Sequence, residues 1–140
     1  MAINWKVVCI AGIALLLSGV FVGFVSGRTT PQTESAVLSA YIGNTFLHFI
    51  LYSLVFSWVG YRQRQSQVLH AVLAYLLSLA LAIAIMATLY VGLSLSPSEP
   101  QPLVLQAIDW VVTICSAAVG LLVGRNVAKF VLRTHAKDDA

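Results

Sequence analysis

Four stretches of this chain are apolar for long enough to cross a bilayer, and short polar segments separate them. A helix needs about 20 predominantly apolar residues to span the hydrocarbon core, and segments 6–26, 36–60, 68–93 and 103–124 supply them. The breaks are as readable as the runs. Segment 28–35 is polar and contains Pro31, with Thr30 or Thr33 placed to cap the second helix. Only residues 62–67 separate the second and third runs, which predicts an antiparallel hairpin. Pro97, Pro100 and Pro102 crowd the next connection, where no helix can continue. The pattern predicts an all-α membrane protein, a bundle of four transmembrane helices joined by short loops.

Within the runs, small and polar residues fall at helical spacing. Gly19, Gly23 and Gly27 are four apart, and so are Gly120 and Gly124; such faces let two membrane helices approach closely. Ala71, Ala74, Ser78 and Ala82 form a similar face on the third span. The second span carries Tyr41, Asn44, Thr45, His48 and Tyr52 on one side, a polar stripe that needs partners in a medium without water. Asp109 is the only acidic residue inside an expected span. At a helix centre it costs about 2.5–3.5 kcal/mol to insert, and less near a helix end. Counting depth at about 1.5 Å per residue places Asp109 and Asn44 level, with Tyr41 and Thr88 slightly shallower and His48 deeper. The sequence therefore predicts a polar intramembrane pocket built from Tyr41, Asn44, His48 and Asp109. Two other readings of Asp109 stand beside it, a buried structural acid bonded to Asn44 and Tyr41 or reached by Arg28, and a helix cap at the interface.

Composition agrees with the class. Of 140 residues, 59% are hydrophobic and 9% charged, against about a quarter charged in soluble domains, and the mean hydropathy is +0.90. The net charge of +3 gives no basic patch of the kind that binds nucleic acid, because the cations sit at the ends of the apolar runs. Lys6, Arg62, Arg64, Arg125, Lys129, Arg133 and Lys137 fall on one side of a four-span topology. Arg28 is the one cation on the other side, beside Glu34 and Glu99. The positive-inside rule then places both termini in the cytoplasm, and a bacterial inner membrane is the expected location. Trp58 and Tyr61 beside the arginines mark the interface. Lys6 followed by an apolar run resembles a signal peptide, but the run 7–25 has spanning length and is read as a retained helix.

Arg125, Lys129, Arg133 and Lys137 are each four residues apart. If the helix continues, 125–140 is a basic amphipathic extension suited to anionic lipid headgroups; otherwise it is an ordinary positive stop after a span. Cys9 and Cys115 have neither a CxxC partner nor histidines at metal-ligand spacing, and read as small buried apolar side chains. His48, His70 and His135 differ too much in depth for a bis-histidine haem, and none is spaced for zinc. No phosphate loop, catalytic triad, acidic pair or redox cysteine pair is present. Neither an enzyme, a metal nor a cofactor is expected. Two functions remain: a non-catalytic accessory or assembly subunit of a larger membrane complex, partnered or self-associated, and a small oligomeric transporter or channel using the Asp/Asn/Tyr/His layer.

Overall fold

A computed structural model describes residues 3–26, 34–63, 65–93 and 103–138 of the chain. They form four helices, α1 (Trp5–Ser26), α2 (Glu34–Arg62), α3 (Gln67–Leu93) and α4 (Leu103–Asp138), each long and apolar enough to cross a membrane. Gly27, Arg28, Thr30, Pro31, Thr33, Arg64, Glu99 and the three prolines before Leu103 lie outside the described residues, as do the side chains of Arg133 and Lys137.

Three helices start or end within a few residues of the expected positions, while α4 runs on well past Gly124. Nothing in 125–138 stops a helix: the segment contains neither proline nor glycine. Gly124 is occupied differently, buried against α2 where a Cβ would collide with the Ser57 carbonyl oxygen. Ala128, one turn later, is buried as well. The basic segment is thus a direct continuation of the span.

Helix pairing follows the small residues. A Cβ built on Gly120 would lie 2.5 Å from the Ser53 carbonyl oxygen, and one on Gly60 would lie 2.8 Å from that of Leu121. Ser116, Gly120, Gly124 and Ala128, each four apart, form one buried ridge on α4 that seats it on α2. These contacts advance together along both chains, so α2 and α4 run parallel. On the other side, Gly12 of α1 packs on Ala74 and Leu77 of α3, and Asn4 meets His70, giving a second parallel pair. α1 also packs along α2, whereas α3 touches α2 and α4 only slightly.

The starts of α1 and α3 and the ends of α2 and α4 define a proximal end of the bundle. Asn4 caps α1 there, its side-chain Oδ1 accepting from the Val7 amide at 3.4 Å while its backbone carbonyl accepts from the Val7 and Val8 amides. The Asn4 amide donates to His70 Nε2 at 3.0 Å, and His70 Nδ1 donates to the Ser66 carbonyl at 2.8 Å. His70 is 1% exposed and accounts for both ring nitrogens as the neutral Nδ1–H tautomer. The apolar core lies in this half: Val7, Ala11 and Leu15 of α1, Phe56 and Val59 of α2, and Ala71 and Ala74 of α3. The distal half has no equivalent. Among residues 16–25, 35–51, 79–92 and 103–112, none is buried.

Two expectations are corrected here. Cys9 and Cys115 are exposed; a thiol is apolar enough to face lipid, so nothing drives it inward. Thr88 is exposed and bonds its own helix at the Ala84 carbonyl, which removes it from any shared polar layer.

Candidate functional site

The polar residues of three helices converge where the packed proximal half gives way to the open distal one. On α2, Tyr41, Asn44, Thr45 and His48 are half-buried and Tyr52 is buried. Their spacing alone puts them on one side of the helix. Tyr52 closes the lower end of the stripe, with its hydroxyl beside Gly19 of α1 and its side chain lining one cleft with Ser78 of α3. The His48 ring stands edge-on to the Tyr52 ring, with centroids 3.9 Å apart and planes at 75°.

From α4 comes Asp109, half-buried and within charge–charge range of both His48 and Tyr75. Tyr75 of α3 lies in the same groove as Thr113 and sits edge-on to Trp110, with ring centroids 6.2 Å apart. The Thr113 hydroxyl donates back to the Asp109 carbonyl at 2.8 Å, and Ser116 does the same to Val112 at 2.6 Å. These bonds satisfy hydroxyls that would otherwise be stranded in the bilayer. A carboxylate, an imidazole and a phenol from three helices thus meet in one layer.

This grouping adds Tyr75 to the expected one. Counted eleven residues back from the contact of Gly120 with Ser53, Phe56 and Ser57, Asp109 falls level with the Ile42 to Phe46 turn of its parallel neighbour, which contains Asn44. Tyr41 lines a shallow apolar cavity with Phe46, Phe49, Ile108 and Val112, the last two from the same stretch of α4 as Asp109. Its hydroxyl has no hydrogen-bond partner, so the expected bond from Tyr41 to Asp109 does not form. Tyr75 was not visible as a site residue; the available signal was a phenol four residues after Ala71 and three before Ser78, on the same small-residue face.

Among the described residues, three buried polar atoms have no hydrogen-bond partner: Tyr41 Oη, His48 Nε2 and Ser53 Oγ. All three are on α2. Leaving such a group unpaired costs about 1–3 kcal/mol, so each marks a place where another group is energetically welcome. Among the described residues no cluster of histidine, cysteine and carboxylate could hold a metal ion.

The other singled-out residues are placed as follows. Gly120 and Gly124 lie against α2 and are buried, Gly19 touches only Tyr52, and Gly23 faces open space. On α1 the close backbone approach is made by Gly12 instead, on the same helical face about two turns before Gly19. Arg125 and Lys129 are exposed at the proximal end, beside Gly60 and Gln67. The chain matches no known protein family, and no curated protein or solved structure is similar to it.

Proposed function

We propose that the chain is a non-catalytic accessory or assembly subunit of a larger membrane complex, held in a bacterial inner membrane with both termini in the cytoplasm. The observation that carries this reading is the unfilled glycine face of α1. A Cβ on Gly23 would have no atom within 4 Å, and one on Gly19 would meet only the Tyr52 hydroxyl, at 3.7 Å. Beside them a cleft of about 370 Å³ opens between α1, α2 and α3, lined by Leu16, Val20, Leu79 and Met86 among others. Glycine faces serve membrane helices by letting another backbone come close. Among the described residues no helix comes close here, which favours one from a partner or a second copy. The cytoplasmic placement rests on the cations gathered at the proximal end, Lys6, Arg62, Arg125 and Lys129.

Gly23→Leu tests the reading, because a Cβ at that position has no described atom within 4 Å. The variant is expected to keep the unfolding midpoint of the wild type and to lose its stoichiometric partner, or its self-association, on purification from native membranes in mild detergent. Wild-type copurification by Gly23→Leu would sink the proposal.

A second reading, a small oligomeric transporter or channel, is favoured by one specific observation: the unpartnered His48 Nε2 beside the charge of Asp109. An imidazole and a carboxylate at the floor of an open half-bundle can pass a proton or hold a cation. Asp109→Asn then abolishes flux in reconstituted vesicles while assembly is unchanged, and undiminished flux removes this reading.

A further inference from the structure

The α3–α4 side carries two cavities stacked along the bundle. Because α3 and α4 barely touch, an apolar groove of about 320 Å³ runs between them, walled by Val68, Val72, Leu76, Trp110 and Ile114. Immediately proximal to it lies a notch of about 220 Å³ bounded by Gly60, Gln67, Arg125, Lys129 and Leu132. The two are neighbours along α3 and α4, though they share no lining residue. Gln67 of the notch precedes Val68 of the groove on α3, and Gly60 of the notch packs on Leu121, which lines the groove.

The dimensions and the charge select an occupant. From Val68 to Leu79 the groove follows α3 for about 16 Å, and one leaflet's hydrocarbon is about 15 Å thick. Its mouth carries Arg125 and Lys129, one turn apart on α4 and both exposed, with the Gln67 amide opposite them. A partner's apolar helix would leave the cations unused, and a soluble anion would leave the slot unfilled. We infer that this groove binds an anionic phospholipid, with an acyl chain between α3 and α4 and the headgroup phosphate against Arg125 and Lys129. Basic pockets between membrane helices at the cytoplasmic face are established seats for such headgroups. The inference stands apart from the α1 glycine face and does not depend on a partner protein.

The test is native mass spectrometry of the full chain in mild detergent, titrated with phosphatidylglycerol or with phosphatidylcholine of the same acyl chains. Wild-type protein is expected to retain phosphatidylglycerol about thirtyfold more strongly, the effect of two basic residues at a headgroup. R125Q/K129Q removes that preference. Val72→Trp fills the slot and weakens both lipids, with Ile114→Phe as the replacement should Val72→Trp fail to fold, as judged by its helical circular dichroism. Glycerol phosphate, which has the headgroup chemistry without the chains, does not compete. Equal retention of the two lipids by the wild type, an intact preference in R125Q/K129Q, undiminished binding in the folded groove variant, or displacement by equimolar glycerol phosphate would each overturn the proposal.

Discussion

The proximal and distal halves of this bundle are built from the same four helices and behave as different materials. In the proximal half, glycine, alanine and serine face one another across each major interface, so backbones approach and larger side chains such as Leu15 and Phe56 close the space between them. In the distal half, the equivalent glycines, Gly23, Gly43 and Gly92, have nothing within 4 Å of a built Cβ. Apolar character is therefore not what separates them, since lipid serves Leu38 or Ile83 as well as protein does. Within a bilayer no hydrophobic force pulls helices together, and association rests on close van der Waals fit and on hydrogen bonds. The half with small residues in register is packed, and the half without them is open. Polar groups accumulate where the packing ends, at His48, Tyr75 and Asp109.

The comparison breaks most visibly by placing the same side chain in each half. Gly124→Leu sets a branched side chain against the Ser57 carbonyl in the α2–α4 seam. Overpacking of a close-packed interior costs about 1–3 kcal/mol and occasionally more, and here the obstruction is backbone, which cannot rotate aside. A loss of about 3 kcal/mol or more is expected in an SDS-driven unfolding titration. Gly43→Leu, in open space on α2, is expected to change stability by under about 0.5 kcal/mol. Equal losses from the two substitutions would show that the halves do not differ in packing.

Much of the proximal half was legible in the sequence, and the physical reason is that its signals are local. Four apolar runs gave four helices, and the face of Ala71, Ala74 and Ser78 is the buried face of α3. What spacing cannot say is which helix receives which face. Gly19 and Gly23 have the same four-residue interval as Gly120 and Gly124, yet only the second pair has a backbone against it. The Asp109 layer was legible in its ingredients on α2 and α4 but not in Tyr75, because depth counting compares levels along helices and does not say which face of a third helix turns toward them. Asn4 and His70 were legible only separately. An asparagine before an apolar run is a cap signal, but nothing local links it to a histidine 66 residues on.

That link is the second place to test the comparison. His70→Phe keeps the ring's bulk while leaving the Asn4 amide without its acceptor and the Ser66 carbonyl without the Nδ1–H donor. Removing one partner of a buried hydrogen bond costs about 1–3 kcal/mol; the proximal end lies near the interface, where water can reach Asn4, so about 2 kcal/mol is expected in the same titration. His70→Gln, able to donate and accept, should recover part of the loss. A His70→Phe variant as stable as the wild type would make the contact between α1 and α3 a matter of shape alone.

The smallest expected effect has the opposite sign. Ser66, in the turn between α2 and α3, has φ of 63°, in the left-handed region that favours glycine. For a residue with a Cβ that conformation costs about 1–2 kcal/mol. It persists because its surroundings over-determine it: the Ser66 carbonyl accepts from both the amide and the ring of His70, which is itself tied to Asn4. Ser66→Gly removes the steric cost but enlarges the conformational freedom of the unfolded chain, which offsets about 0.5–1 kcal/mol of the gain. A net stabilisation of up to about 1 kcal/mol follows, and it should vanish in the His70→Phe background, where the turn is free to relax without help. If Ser66→Gly stabilises both backgrounds equally, the turn is strained by its own short length, and the proximal packing is not what holds it there.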